Sequence, residues 1–487
     1  MNPSIIRLYV LVLALFAAVV GFTSYWAIFD ADELRERPDN RRSLIEAQKI
    51  PRGTITTVDG TEVAVSRPQG QGNQRIFTRE YPQGELFGHP VGYSFVEFGQ
   101  TEIERSENDD LIGRDKEFTS IIEDLEGQVE EGSDLTLTLD AEAQRIAQQG
   151  IRSAISIPGT GGALVAIEPD TGAVRAMVSE PGYDPNRVPD QFKQLNKDEE
   201  NDPLVNRPTQ SRYPPGSTMK VVTATAALDS GKFETSTVLN ADSPKEISGV
   251  PLENAGGESF GDIDMTVALT NSVNTYWAQV GEQLGTDTMV EYMERFGFYS
   301  DSQLDFPSDE LEASGPVNSD GQLVRDGFDV GRVAIGQGGE EGQDLTTPLQ
   351  MAEVAATVAN GGRLMEPTFL QEVTDPDGRT TRELDPDVQS TVMSEETASQ
   401  VAEMMTNVAE EGTASGLSVA GATLAGKTGT AEIDLDAGIN QAWFIGFAPA
   451  DDPQIAVAAT IERCQGCFGG DTAGPIATDV MESLLSG

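Results

Sequence analysis

The chain opens on one long apolar run and then breaks into short alternations. From Leu8 to Phe29 no residue is charged, and 22 such positions are enough for a helix that crosses a bilayer. Arg7 precedes the run, while Asp30, Asp32 and Glu33 follow it. That asymmetry predicts a short cytoplasmic tail and an extracytoplasmic body on a single uncleaved anchor, with Tyr25, Trp26 and Phe29 at the far interface. A cleavable signal would have a shorter apolar core and a small-x-small site. Residues 30–50 are charged and predict a helical stalk. Strand-like alternation then flanks Asp59-Gly60, which signals a hairpin. Residues 66–132 mix Gly, Pro and acidic side chains with short apolar pieces, as in a small irregular domain. Alternation returns at Leu135-Thr136-Leu137-Thr138-Leu139, and Asp140 stands as the N-cap of a following helix. Gly162–Ile167 and Ala173–Val178 read as two strands joined by Pro169-Asp170-Thr171-Gly172. Strands at both ends of 133–487 bracket helices in the middle, an α+β pattern. The expected parts are a tail and anchor (1–29), a small N-terminal domain (30–132) and a main domain (133–487).

Composition narrows the chemistry. Against 80 Asp and Glu stand 32 Lys and Arg, a net charge of −48 over 487 residues. Such a surface repels phosphate backbones and excludes a nucleic-acid partner. There is one histidine, His89, and there are two cysteines, Cys464 and Cys467. A histidine-ligated metal needs more imidazoles, and one Cys-x-x-Cys cannot fill a tetrahedral zinc site. A Ser-His-Asp triad would have to use His89, which lies in the small N-terminal domain and reads as structural. Glycines between 331 and 342 carry no lysine in P-loop spacing and read as a backbone turn rather than a nucleotide site. No metal or cofactor is expected. Outside the membrane the two cysteines favour a small disulfide loop. Acidic stretches at 123–131 and 198–202 read as solvated surface.

Only eight lysines occur, so a lysine beside a serine is informative. In Tyr213-Pro214-Pro215-Gly216-Ser217-Thr218-Met219-Lys220, prolines and glycine break the chain before an Ala-rich apolar helix. Ser217 and Lys220 then share one face of its first turn. The helix's positive end and burial both lower a lysine's pKa, and a neutral lysine beside a serine suits serine acyl transfer. Taken alone, the pattern fits a capping serine and a snorkelling lysine better. In Asn271-Ser272-Val273-Asn274 a hydroxyl and an amide stand two apart on a tight turn. One can pass a proton and the other can bind an amide, although a plain helix cap would look the same. Ser106-Glu107-Asn108 repeats the spacing in the other domain. Lys427-Thr428-Gly429-Thr430 sets a cation and two hydroxyls on a strand, with Gly429 expected to admit a substrate backbone.

Together these stretches form the S-x-x-K, S-x-N and K-T-G set of penicillin-binding proteins and serine β-lactamases. The chain resembles class B penicillin-binding proteins more widely. Arg52-Gly53 with Asp59-Gly60 resembles the start of their pedestal domain, and Asn206-Arg207 is similar to their active-site approach. Gly336-Gln337-Gly338, Thr347-Pro348-Leu349-Gln350-Met351-Ala352 and Asn360-Gly361-Gly362 resemble a later helical segment. Phe87-Gly88-His89-Pro90-Val91-Gly92 is similar to the actinobacterial PbpA group. The resemblance implies a transpeptidase domain, an antiparallel sheet with helices on both sides, after one transmembrane helix and a pedestal. It implies a D,D-transpeptidase that cross-links peptidoglycan stem peptides and is acylated by β-lactams. Ser217 would be the nucleophile, Lys220 the base and Ser272, between Lys220 and Lys427, the proton relay. Asn274 would bind the donor's amide; Lys427, Thr428 and Thr430 would hold its carboxylate, with Gly429 between the two threonines. Residues 30–132 are too short for a glycosyltransferase, so the resemblance implies a SEDS polymerase partner of the RodA/FtsW type. The rival activities are a hydrolase, carboxypeptidase or β-lactamase, and a β-lactam-sensing receptor. The extra N-terminal domain and anchor weigh against a β-lactamase, and the short tail weighs against a receptor.

Overall fold

The structure is a computed structural model that describes residues 3–28, 45, 48–71, 75–113, 131–338, 342–434 and 437–486. Helix α1 (Pro3–Ile28) contains a stretch, Ile5–Tyr25, of mean hydropathy 2.5, with none of it buried against the protein. At 1.5 Å per residue this stretch spans about 30 Å, the depth of a bilayer's hydrocarbon. The helix is long and apolar enough to cross a membrane. Most of the stalk expected over 30–50, and of the acidic stretch 123–131, lies outside the described residues.

Strands β1 (Ile55–Thr57), β2 (Glu62–Gln69) and β3 (Ile76–Glu80) form the start of the body. The β1–β2 hairpin turns at Gly60, whose φ of 81° the Asp-Gly pair supplies. Strand β4 (Asp134–Leu137) leads to helix α2 (Ala141–Ala154), and Asp140 caps that helix by accepting from the N–H groups of Glu142 and Ala143. Strands β5 (Gly162–Ile167) and β6 (Val174–Glu180) then pair around Gly172, with φ 77°. The helical middle includes α3 (Lys220–Asp229), α4 (Asn274–Leu284) and α5 (Pro348–Ala359). Strands β7 (Leu370–Thr374) and β8 (Thr380–Glu383) and helix α6 (Glu395–Glu410) follow. The chain closes with β9 (Ala425–Asp434), β10 (Ile439–Ala448), β11 (Ile455–Gln465) and α7 (Gly469–Leu485).

The central sheet runs β9-β10-β11-β5-β6, antiparallel throughout. Residues 455–461 of β11 are buried without alternation, so both faces of the sheet are covered. Helices α2 and α7 pack on it and on each other, and α5 packs on β5, β10 and β11. At one edge lies β9, whose neighbour in the sheet is β10.

A second sheet runs β8-β7-β4-β1-β2-β3. It crosses position 132: β4 pairs parallel with β1 (Ile55↔Leu135) and antiparallel with β7 (Val373↔Leu135). Arg52-Gly53 helps to tie this junction. Arg52 and Arg79 flank the buried Glu104 carboxylate at 2.6 and 2.5 Å, and a Cβ on Gly53 would lie 1.8 Å from Ser133 O. Asn108, of the stray Ser-x-Asn, serves here too, accepting from Arg52 and Gln100.

Candidate active site

Helix α3 is buried on every side along Lys220–Leu228, as expected of an Ala-rich core helix. It begins at Lys220, one turn later than the residue pattern suggests. Ser217 precedes it in a 3₁₀ turn, Gly216–Met219, because Pro214 and Pro215 delay the helix and Gly216 takes φ 55°. The tight turn still brings the pair together: Lys220 Nζ lies 2.9 Å from Ser217 Oγ.

Ser272 sits between a short helix, Met265–Thr270, and α4. Its φ of 57° is left-handed and unusual for serine. Both its carbonyl and its hydroxyl reach Lys220 Nζ, at 2.8 and 3.2 Å. Asn274, the first residue of α4, adds Oδ1 at 2.7 Å, and its Nδ2 donates to Glu253 O at 3.1 Å. From β9, Lys427 Nζ donates to Ser272 Oγ and to Thr428 O, each at 2.9 Å.

The protonation state follows from this arrangement. Burial, and then the neighbouring Lys427, hold the Lys220 ammonium well below the ordinary lysine range. A neutral amine has two N–H groups and one lone pair. The Ser272 carbonyl and Asn274 Oδ1 can only accept, so they take both hydrogens. The lone pair is left for a hydroxyl, and that of Ser217 is nearest. Burial also brings Lys427 down to about 7. It can therefore take up a proton when an anion arrives.

Five of the expected residues thus meet: Ser217, Lys220, Ser272, Asn274 and Lys427. Thr428 and Thr430 alternate with Lys427 along β9, and their hydroxyls have other partners. Thr428 Oγ1 lies 2.6 Å from Thr413 Oγ1, and Thr430 Oγ1 accepts from the Gly469 N–H at 3.4 Å. Gly429 packs closely against the serine's loop. A Cβ there would lie 2.8 Å from Pro215 O and 2.9 Å from Thr218 Cγ2. The glycine admits the serine's own loop.

Gly336, in the predicted backbone turn, packs against the serine's loop. Its carbonyl accepts from the Gly216 N–H at 2.9 Å, and a Cβ on it would lie 2.0 Å from Gly216 O. Thr413 and Glu253 carried no motif and were not foreseen. His89 is buried with Nε2 3.0 Å from Pro203 O, and takes no part in the cluster's hydrogen bonds. Cys464 and Cys467 are joined in a disulfide. Among the described residues no group of acidic, histidine or cysteine side chains could hold a metal.

Known proteins share this fold. Residues 162–482 match the penicillin-binding protein transpeptidase domain, and residues 52–135 match the penicillin-binding protein A dimerisation domain. The chain belongs to the penicillin-binding protein transpeptidase family. Over its whole length it is 32% identical to the peptidoglycan D,D-transpeptidase PbpA of Mycolicibacterium smegmatis, covering 99% of that protein. Its structure is similar to the crystal structure of PBPA from Mycobacterium tuberculosis, with TM-score 0.78 and 30% identity over 90% of this chain and 100% of that one. The penicillin G acyl-enzyme complex of that mycobacterial protein gives the same TM-score, 0.78, at 30% identity, again over 90% of this chain and 100% of its own. The family's transpeptidase fold holds the lysine–serine cluster, and a small domain of the penicillin-binding dimerisation type precedes it.

Proposed function

We propose that this protein is a membrane-anchored D,D-transpeptidase that cross-links peptidoglycan stem peptides. The observation that carries the reading is Lys220 Nζ, buried and 2.9 Å from Ser217 Oγ, with both of its amine hydrogens matched to pure acceptors. The mycobacterial relatives are peptidoglycan D,D-transpeptidases, which supports it.

Ser217 Oγ attacks the carbonyl carbon of the donor's penultimate D-Ala while Lys220 Nζ takes the hydroxyl proton. The C–N bond to the terminal D-Ala then breaks. Ser272, between Lys220 and Lys427, passes a proton to the leaving amine. Backbone N–H groups of Ser217 and Thr430 stabilise the oxyanion. In support, a Cβ on Gly216 would lie 3.2 Å from the Thr430–Ala431 peptide, so the two segments are in contact. Lys427, Thr428 and Thr430 hold the donor's carboxylate, and the free hydrogen of Asn274 Nδ2 holds its amide. An amine from a neighbouring stem attacks the acyl-enzyme, releasing Ser217 and forming the cross-link. β-Lactams acylate the same serine.

The body lies outside the cytoplasm, on the charge asymmetry around α1, with the division into 1–29, 30–132 and 133–487 kept as three functional parts. Glycan polymerisation falls to a separate SEDS glycosyltransferase. A stem peptide ending in D-Ala-D-Ala, offered with and without an amine acceptor, tests the reading. The amide product is expected only with acceptor. Free acid as the sole product in both cases would make the protein a hydrolase.

A further inference from the structure

Tyr213 stands four residues before Ser217, and its side chain is tied to the central sheet. Its O–H donates to Glu462 Oε1 near the end of β11. Arg207 Nε donates to the same oxygen at 2.9 Å, and the Gly161 N–H donates to Oε2 at 2.8 Å. The Glu462 N–H returns a bond to Gly161 O at 2.8 Å, so both ends of this residue are fixed. The Tyr213 backbone exchanges hydrogen bonds with Thr346 at 2.9 and 2.8 Å.

Between this anchor and the serine lie Pro214, Pro215 and Gly216. Neither proline has an N–H, and each has a fixed φ. This short stretch is therefore a stiff lever, held at its carbonyls. Trp443 Nε1 donates to Pro214 O at 2.9 Å, and Thr218 Oγ1 donates to Pro215 O at 2.8 Å. A shift at Tyr213 has little slack in which to dissipate before it reaches Ser217.

We infer that Glu462 and Tyr213 are positioning residues: the carboxylate–phenol bond sets where the Ser217 hydroxyl stands between Lys220 and β9. The inference rests on the reading of Ser217 as the nucleophile. Burial, and then the Glu462 charge, hold the Tyr213 phenol well above its ordinary pKa, so it remains a donor at any working pH. Loss of the bond leaves Glu462 still paired with Arg207, and the fold is kept. What changes is the approach geometry, where small displacements far from the chemistry slow reactions strongly.

The test is a double-mutant cycle on the detergent-solubilised full chain, with Tyr213→Phe, Glu462→Gln and both together. Stopped-flow acylation by a chromogenic cephalosporin separates the acylation rate constant from the pre-acylation binding constant. Tyr213→Phe is expected to lower the rate constant about tenfold or more, with binding changed by less than about twofold. The double variant is expected to be no slower than the slower single one, since Glu462→Gln already disrupts the phenol bond that Tyr213→Phe removes, along with the Arg207 and Gly161 contacts. Tyr292→Phe is the control, losing a phenol bond of 2.8 Å to Asp229 away from the cluster. It should lower the melting temperature and leave the rate constant alone. Additive effects, or a Tyr213→Phe enzyme that acylates like wild type, would overturn the inference. Should Glu462→Gln fail to fold, Tyr213→Phe against Tyr292→Phe still decides it. A wild-type chain that is not acylated on Ser217 would instead remove the nucleophile reading itself.

Discussion

Lys220 and Lys427 meet across one hydroxyl: Ser272 Oγ lies 3.2 Å from the first nitrogen and 2.9 Å from the second. Both side chains are fully buried. Among the described residues no carboxylate contacts either ammonium, so burial works against both charges. The result is a division of labour. Burial and the neighbouring Lys427 push Lys220 toward the neutral form, which can accept the serine proton, while Lys427, brought down to about 7, can meet a carboxylate.

A pH profile follows. Acylation needs neutral Lys220, so its rate rises with pH through that lysine's lowered pKa. Capture of a carboxylate needs charged Lys427, which loses its proton above about 7 in the free enzyme. The second-order acylation rate should therefore be bell-shaped, and its falling limb reports the free enzyme. Lys427→Arg keeps the charge at all pH values and should move the falling limb upward by roughly two pH units or more. A limb that stays in place would belong to another group.

Gly429→Ala tests the packing of the serine's loop. The new methyl would lie 2.8 Å from Pro215 O, 2.9 Å from Thr218 Cγ2 and 3.0 Å from Trp443 Cβ. Overpacking of this kind costs about 1–3 kcal/mol. Thermal melting should record that loss, and penicillin acylation should slow because the displaced segment carries Ser217. A variant that melts lower yet acylates at the wild-type rate would separate this contact from catalysis.

The five clustered residues were legible because each motif is local. Three residues of spacing set Ser217 against Lys220, and two set Ser272 against Asn274, whatever the rest of the chain does. Other features have no local signature. Strand β4 pairs with β1 about eighty residues earlier and with β7 more than two hundred later, and alternation specifies a face but not a distant partner. Gly429 looks like any strand glycine until the loop it faces is in place. Glu462 is one of 80 acidic residues, and nothing in its neighbours marks it as the anchor of Tyr213.

Asp344 predicts a loss of stability at alkaline pH. Its carboxyl is fully buried, and neither oxygen has a hydrogen-bond partner among the described residues. Burial raises its pKa to about 8, against about 3.9 in an unfolded chain. The folded state thus favours the proton. The stabilisation is complete below about pH 4 and is lost as the pH rises through 8. Wild type should melt lower at pH 9 than at pH 6, and Asp344→Asn should narrow that gap. An equal gap in the variant would assign the effect elsewhere, with Glu353, also raised to about 8, the next residue to replace.

Net charge predicts a response to salt. At −48 the body repels itself, and screening shortens that repulsion from about 30 Å at 0.01 M to about 3 Å at 1 M. The melting temperature of the full chain in neutral detergent should rise with NaCl, and rise more than in a neutral solute of equal osmolarity. A flat or falling curve would mean that the carboxylates are already well spaced or paired.

The central claim is that Ser217 is the nucleophile that Lys220 activates. Penicillin treatment followed by intact mass and peptide mapping tests it most directly. A single adduct is predicted, on the peptide that contains Ser217, and none on the Ser217→Ala protein with its melting temperature preserved. An adduct on another residue, or undiminished labelling of Ser217→Ala, would contradict the account.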